Sequence, residues 1–197
     1  MSARRSSSRD LALIATFTGV VAALGLVPAF VPPGFAVPIT AQSLGVMLAG
    51  AVLGARRGFW SLTLLLVLVA VGLPLLAGGR GGLGVFATPS VGFLLCYPIA
   101  AFAIGWLTEW GGPTYRLAWG LVANVLGGIV LLYVAGVAGI VAVTGLSLQA
   151  AFLSTWVFLP GDLVKVVAAA FVARGVHAAY PGLLGGSRRP RRERAHA

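Results

Sequence analysis

Four long stretches of this chain carry no Asp, Glu, Lys or Arg: between Asp10 and Arg56, between Arg57 and Arg80, between Arg80 and Glu109, and between Arg116 and Asp162. A helix that crosses a bilayer needs about 20 predominantly apolar residues, so these stretches hold several spans. No water-facing surface can be built from such a chain. Charged residues are 9% of the sequence, against roughly 25% in a soluble domain. The sequence therefore reads as an all-α integral membrane protein, and its 197 residues suit one compact unit.

Punctuation along the chain sets the expected spans. They fall at about 11–30, 41–55, 58–76, 90–107, 117–137 and 152–172. Pro32, Pro33, Gly34 and Pro38 make 31–40 a loop or an extended strand, because proline fixes φ and removes a donor. Arg56 and Arg57 are expected to end the short second span. The run Gly78-Gly79-Arg80-Gly81-Gly82 opens a flexible loop that continues to Pro89, and Glu109 to Arg116 is polar. Three segments follow: a cytoplasmic N-terminal segment at 1–10, a six-helix transmembrane domain at 11–175, and a basic, disordered cytoplasmic tail at 176–197. Arg4, Arg5 and Arg9 ahead of an apolar run resemble the start of a signal peptide. The run is too long and lacks a small-x-small cleavage site, so it is expected to be a retained first helix.

The net charge of +10 does not point to nucleic acid, since no stacking motif or basic groove accompanies it. With the N-terminus inside and six spans alternating, the inside segments hold Arg4, Arg5, Arg9, Arg56, Arg57, Arg116, Arg174, Arg188, Arg189, Arg191, Arg192 and Arg194. That is twelve of the fourteen basic residues, as the positive-inside rule requires. Both termini are then cytoplasmic and the basic residues contact anionic lipid. Arg80 alone lies outside, and Trp60, Trp106, Trp110 and Trp119 fall near the inner interface as an aromatic belt. The single cysteine, Cys96, excludes an internal disulfide.

The chemistry is concentrated in Leu159-Pro160-Gly161-Asp162-Leu163-Val164-Lys165. A charge at the bilayer centre costs about 2.5–3.5 kcal/mol on insertion scales. A spacing of three places Asp162 and Lys165 on one helix face, where they can neutralise each other. Asp162 is expected about 15 Å into the last span at 1.5 Å per residue, with Pro160 and Gly161 weakening the helix just before it. The pair then either fixes helix packing or borders a polar ligand pocket. Thr40 and Gln42 put polar atoms at the mouth of the second span, although Thr40 can equally be a helix cap. The glycine-rich loop lacks the Gly-Lys-Ser/Thr ending of a phosphate loop. Its glycines suit a mobile lid, and Arg80 is either a solvated cation or a clamp for a carboxylate.

Small residues recur at four-residue spacing: Gly50, Gly54 and Gly58, and also Ala15 and Gly19. Such faces allow helices to approach closely in lipid, either within the bundle or, for Ala15 and Gly19, against another membrane protein. No zinc-ligand spacing, nucleophile elbow or nucleotide loop is present, so neither a metal nor a catalytic residue is assigned. A protein of this kind that took part in ATP-driven transport would need its ATPase on another polypeptide.

Together these segments resemble BioY, the biotin-binding substrate component of energy-coupling-factor transporters. The family's proline-threonine-x-glutamine stretch corresponds to Val37-Pro38-Ile39-Thr40-Ala41-Gln42, running on to Leu48-Ala49-Gly50 and Leu53-Gly54. Its Gly-Leu-Pro and glycine-rich loop is matched by Gly72-Leu73-Pro74 and Gly78 to Gly84. Its Gly-Pro-x-Gly-Gly-Tyr element reads Ala87-Thr88-Pro89-Ser90-Val91-Gly92-Phe93, with Phe93 where tyrosine is usual. Its Pro-Gly-Asp-x-x-Lys element is Pro160 to Lys165. The resemblance implies biotin as the ligand and no bound cofactor. It implies a coupling subunit and a pair of cytoplasmic ATPases as partners, in a bacterial cell membrane. It also implies substrate contacts from Asp162, Lys165, Arg80, Thr40, Gln42, Thr88 and Phe93, and a docking face made by Ala12, Ala15 and Gly19. Phe86, Phe93 and Trp156 are expected beside the valerate chain. A substrate component for another vitamin, a membrane-embedded enzyme using Asp162 and Lys165 as an acid/base pair, and a self-sufficient transporter remain as alternatives.

Overall fold

The structure, a computed structural model, describes residues 2–31, 33–34, 37–112, 114–181 and 183. Pro32, Pro113, the basic tail 188–194 and His196 lie outside the described residues. Six helices follow in order: α1 Ser2–Leu24, α2 Gln42–Leu53, α3 Ala55–Ala70, α4 Val91–Trp110, α5 Leu117–Thr144 and α6 Leu148–Ala179. The last three are long and apolar enough to cross a membrane unaided. The 12 residues of α2 reach only about 18 Å, so this helix depends on its neighbours. Leu11, Val134 and Val164 are each about two-thirds exposed. Together with the other large apolar side chains that α1, α4, α5 and α6 expose, they suit helix faces turned to lipid.

The helix ends differ from the sequence expectation for identifiable reasons. α1 begins at Ser2 and stops at Leu24 rather than Phe30. Its first turns are polar, which hydropathy does not see, and the chain turns at Gly25 before Pro28. Arg56 and Arg57 do not end the second span; they open α3. The break is Gly54 alone, at φ +82°, a conformation glycine enters without steric cost. α5 carries a π-helical stretch at Leu126–Leu131, where Gly127 and Gly128 abut Ile104 and Met47. Its wider turn shifts the register of the residues beyond it. Likewise α6 is interrupted before Pro160 rather than at it, by a 3-10 turn at Trp156–Phe158. Pro160 sits in the first turn that follows, where its missing N–H costs nothing.

The helices pack through small residues. A Cβ on Gly50 would lie 2.6 Å from the Ala101 carbonyl oxygen of α4, and one on Gly58 would lie 3.0 Å from that of Ala49. Both small-residue positions are thus used inside the bundle. In α1, Thr18 is buried and its hydroxyl reaches Ser61 O of α3 at 2.9 Å. Ala12, Ala15 and Gly19 face outward, and a Cβ on Gly19 would meet nothing within 4 Å.

Polar contacts collect at the two ends of the bundle. At one end Arg57 pairs with Asp10 at 2.8 Å, and Glu109 Oε1 accepts the Ala55 N–H at 2.9 Å. There, too, His177 Nε2 lies 2.9 Å from Ala51 O, Trp106 stacks on Trp110, and Trp119 meets Trp110 edge-on. The opposite end carries the 37–43 segment, the 76–80 hairpin and the polar residues of α6.

Candidate functional site

The loop after α1 returns as a short antiparallel bridge. Phe30 and Ile39 exchange two backbone bonds, of 3.1 and 2.8 Å. This pairing delivers Thr40 and Ser43 to the start of α2. After α3 the chain makes a second tight return, Leu76 pairing with Arg80 through bonds of 3.0 and 3.2 Å. Gly78 and Gly79 form its tip at φ +79° and +70°, in the left-handed region that hairpin turns demand. Gly82 N–H donates to Val69 O at 2.7 Å and ties the turn to α3. The glycines therefore build a pinned hairpin that holds Arg80 at a set position.

Between these two returns and helices α4, α5 and α6 lies a cavity. Its polar wall is Thr40, Gln42, Ser43, Ser90, Tyr133, Asp162 and Lys165; its apolar wall includes Val37, Phe93, Leu94, Leu132 and Phe158; Arg80 and Tyr97 also line it. The space between the walls, open solvent at the mouth included, is about 620 Å³.

Asp162 and Lys165 form an ion pair at 2.9 Å, with side chains only 8% and 17% exposed. A lysine ammonium has three N–H donors, and here all three have acceptors: Asp162 Oδ1 at 2.9 Å, Ser43 Oγ at 2.9 Å and Thr40 O at 2.7 Å. The carboxylate is held as firmly. Ser43 Oγ lies 3.2 Å from Oδ1, and the Tyr133 hydroxyl donates to Oδ2 at 2.8 Å. Ser43 stands in the first turn of α2, so the carboxylate also faces the positive end of that helix. A buried ion pair is costly unless hydrogen bonds saturate it, and this one is saturated on the lysine side. The carboxylate has about four lone-pair sites, so it can still accept from a ligand.

The sequence candidates divide by what they touch. Asp162, Lys165, Arg80, Thr40 and Phe93 line the cavity together. Thr40 offers its backbone carbonyl to Lys165 rather than acting as a cap, and α2 has no side-chain cap bond. Gln42 lines the cavity too, but its amide is committed elsewhere. Its Nε2 donates to Leu75 O at 3.0 Å and reaches Val21 O at 3.4 Å, while its Oε1 accepts the Ala77 N–H at 3.1 Å. It is 2% exposed and braces the Arg80 hairpin against α1. Thr88 does not line the cavity. Its hydroxyl lies 2.7 Å from Val85 O and 3.0 Å from Ser90 Oγ, so it orients Ser90, which does line it. Phe86 packs into the core and Trp156 is half-exposed; Phe158, two residues on, takes the place expected of Trp156.

Two contributors have no signature in the sequence. Tyr133 is one tyrosine in an apolar helix, and it follows just after the π-helical stretch. Phe158 joins Phe93 and Tyr133 in a cluster of edge-on rings with centroids 6.2–6.5 Å apart. Among the described residues no group of His, Cys, Asp and Glu is arranged to hold a metal ion.

The chain matches the family model for BioY over residues 1–182. It is similar to a protein of Rhizobium etli called biotin transporter BioY, 46% identical over 89% of this chain and 96% of that one. A second relative of the same name, from Rhodobacter capsulatus, is 47% identical over 89% of this chain and 97% of its own length. The fold is similar to a crystal structure described as the S-component for biotin from an ECF-type ABC transporter. That likeness has a TM-score of 0.85 and 27% identity, and it covers 88% of this chain and 93% of the other.

Proposed function

Because this chain belongs to the BioY family, we propose that it is a substrate-binding transport component that captures biotin. The observation that carries this reading is the Asp162–Lys165–Ser43–Tyr133 cluster, saturated on the lysine side and open on the carboxylate, facing an apolar wall across the cavity. Biotin presents the complementary pattern. Its ureido ring offers two N–H donors and one carbonyl acceptor, and a carboxylate terminates an apolar chain.

The cavity's residues divide the work by chemistry. Asp162 accepts ureido N–H groups with the lone pairs its present partners leave open. The Tyr133 hydroxyl, hinged on a ring held by Phe93 and Phe158, turns from Oδ2 to the ureido carbonyl as the ligand enters. Lys165 keeps the site neutral and, with its donors occupied, acts as a fixed counter-charge. The valerate chain lies along Leu94, Leu132 and Phe93. Arg80, on its pinned hairpin, meets the carboxylate; its Nε is 3.2 Å from Ala77 O, and the guanidinium has further donors to offer. No bond is made or broken. The relatives are named as transporters, and the reading is transport without catalysis.

Isothermal titration of the detergent-purified protein tests the proposal: one saturable biotin site is expected, and a folded sample that gives no binding overturns it. Competition by thiamine and riboflavin addresses a different vitamin as ligand. Tyr133→Phe removes one hydrogen bond to a charged or polar partner, worth about 1.5 kcal/mol. Biotin affinity should fall about tenfold in the same titration, the melting temperature should fall modestly with loss of the bond to Asp162 Oδ2, and equal affinity would remove Tyr133 from the contact set.

The positive-inside count supports cytoplasmic termini, with the cavity facing outward in a bacterial plasma membrane. The family supports a transmembrane coupling subunit and paired ATPases as partners, docking on the exposed face of Ala12, Ala15 and Gly19. Ala15→Trp should then leave biotin titration intact and abolish uptake in cells that supply those subunits. Undiminished uptake would exclude this face.

A further inference from the structure

Several ionised groups at the end opposite the cavity have partners among the described residues. Asp10 takes Arg57 at 2.8 Å. Glu109 takes the Ala55 N–H at the start of α3. Arg56, in the first turn of α3, is left exposed and makes no ion pair among the described residues. The position is electrostatically poor for a cation, since the N-terminus of a helix is itself the positive end. Glu109 offsets part of that helix end through the Ala55 N–H, and Arg56 adds an exposed guanidinium beside it.

Arg56 also lines a groove. Phe59 and Trp60 on α3 and Ile99 and Phe102 on α4 complete its lining. Phe59 sets the other two rings edge-on, with centroids 5.4 Å from Trp60 and 6.4 Å from Phe102. Trp60, Ile99 and Phe102 are 44–54% exposed, and the groove encloses about 660 Å³ of space including its open side. An apolar slot beside an exposed arginine that makes no ion pair among the described residues is complementary to an amphiphile with an anionic head. We propose that this groove is a binding site for an anionic phospholipid, its phosphate on Arg56 and one acyl chain along Phe59, Ile99 and Phe102. Trp60 sits at the boundary, where amphipathic rings favour the headgroup level. The proposal rests on the topology argued above, which puts Arg56 in the cytoplasmic leaflet where anionic lipid meets basic residues; it does not depend on the ligand of the cavity.

Native mass spectrometry of the protein released from mixed micelles of phosphatidylglycerol and phosphatidylcholine tests it. The last lipid retained as detergent is stripped should be phosphatidylglycerol. Arg56→Gln should lower that retention about fivefold, the value of one basic residue at an anionic leaflet, and remove the preference over phosphatidylcholine. Ile99→Trp, which fills the slot without touching the charge, should lower retention of both lipids. Biotin titration of each variant serves as the folding control and should match the parent protein. Equal phosphatidylglycerol retention in the parent and Arg56→Gln overturns the site. So does a dimer in the parent that Ile99→Trp converts to a monomer, which would make the groove a contact between copies.

Discussion

Asp162→Asn should weaken biotin binding by at least about 100-fold, measured by titration of the purified protein. The carboxylate is the acceptor for which the surroundings are built: Lys165, Ser43 and Tyr133 all donate toward it. An amide has one acceptor oxygen and brings two donors, which would face the two N–H groups of the ureido ring. Hydrogen bonds to charged groups contribute about 1.5–3 kcal/mol each, so losing one and turning a second repulsive accounts for the expected factor. The substitution also strands Lys165. Removing one partner of a buried pair costs about 3–5 kcal/mol, and the melting temperature should fall with the affinity. The double substitution Asp162→Asn with Lys165→Met separates these effects. It removes the stranded charge and should recover most of the lost stability while binding stays weak. Affinity within threefold of the parent in Asp162→Asn would show that the vitamin does not dock on this carboxylate.

Why that residue was legible in the sequence, and its neighbours less so, follows from the solvent. In an apolar chain an ionised group is improbable, so Asp162, Lys165 and Arg80 stand out by their cost alone. The same argument is silent about Tyr133 and Phe158, because a tyrosine or phenylalanine in a spanning helix carries no such cost. Their aim is set by departures from α geometry, the π stretch at 126–131 and the 3-10 turn at 156–158, which no periodicity reveals. Helix ends were misplaced wherever polarity and backbone disagreed. The serine-rich start of α1 is helical although it is not apolar, and the second helix stops at Gly54 although the charges come two residues later. Gln42 stands at the mouth of the second span, yet its three backbone partners make it a brace. Only the fold could reveal those partners, since Val21 and Leu75 are far from it in the chain.

Gly92→Val should disrupt the bundle and the cavity together. Gly92 lies in the first turn of α4 against α5. A Cβ there would sit 2.0 Å from the Ala135 carbonyl oxygen and 3.0 Å from Gly139 Cα, and a Cβ on Gly139 would in turn meet Gly92 N at 2.5 Å. Both obstacles are main chain, so no rotamer change relieves them, and the helices must separate. Overpacking of this kind costs about 1–3 kcal/mol and occasionally more, and the upper end is expected here. The consequence reaches the site because the next residue is Phe93, whose ring covers Gly136 and packs edge-on to Tyr133 and Phe158. Displacing α4 moves that ring, removes the support that aims the Tyr133 hydroxyl into the cavity, and should lower biotin affinity more than about tenfold, alongside a large drop in melting temperature. Gly175→Ala is the matched control. This helical glycine has open space at its Cβ, and alanine is favoured over glycine in a helix by about 1 kcal/mol. Its melting temperature should hold or rise, and its biotin titration should be unchanged. If Gly92→Val melts and binds as the parent does, then α4 and α5 do not meet at this glycine, and the placement of Phe93 against Tyr133 falls with it.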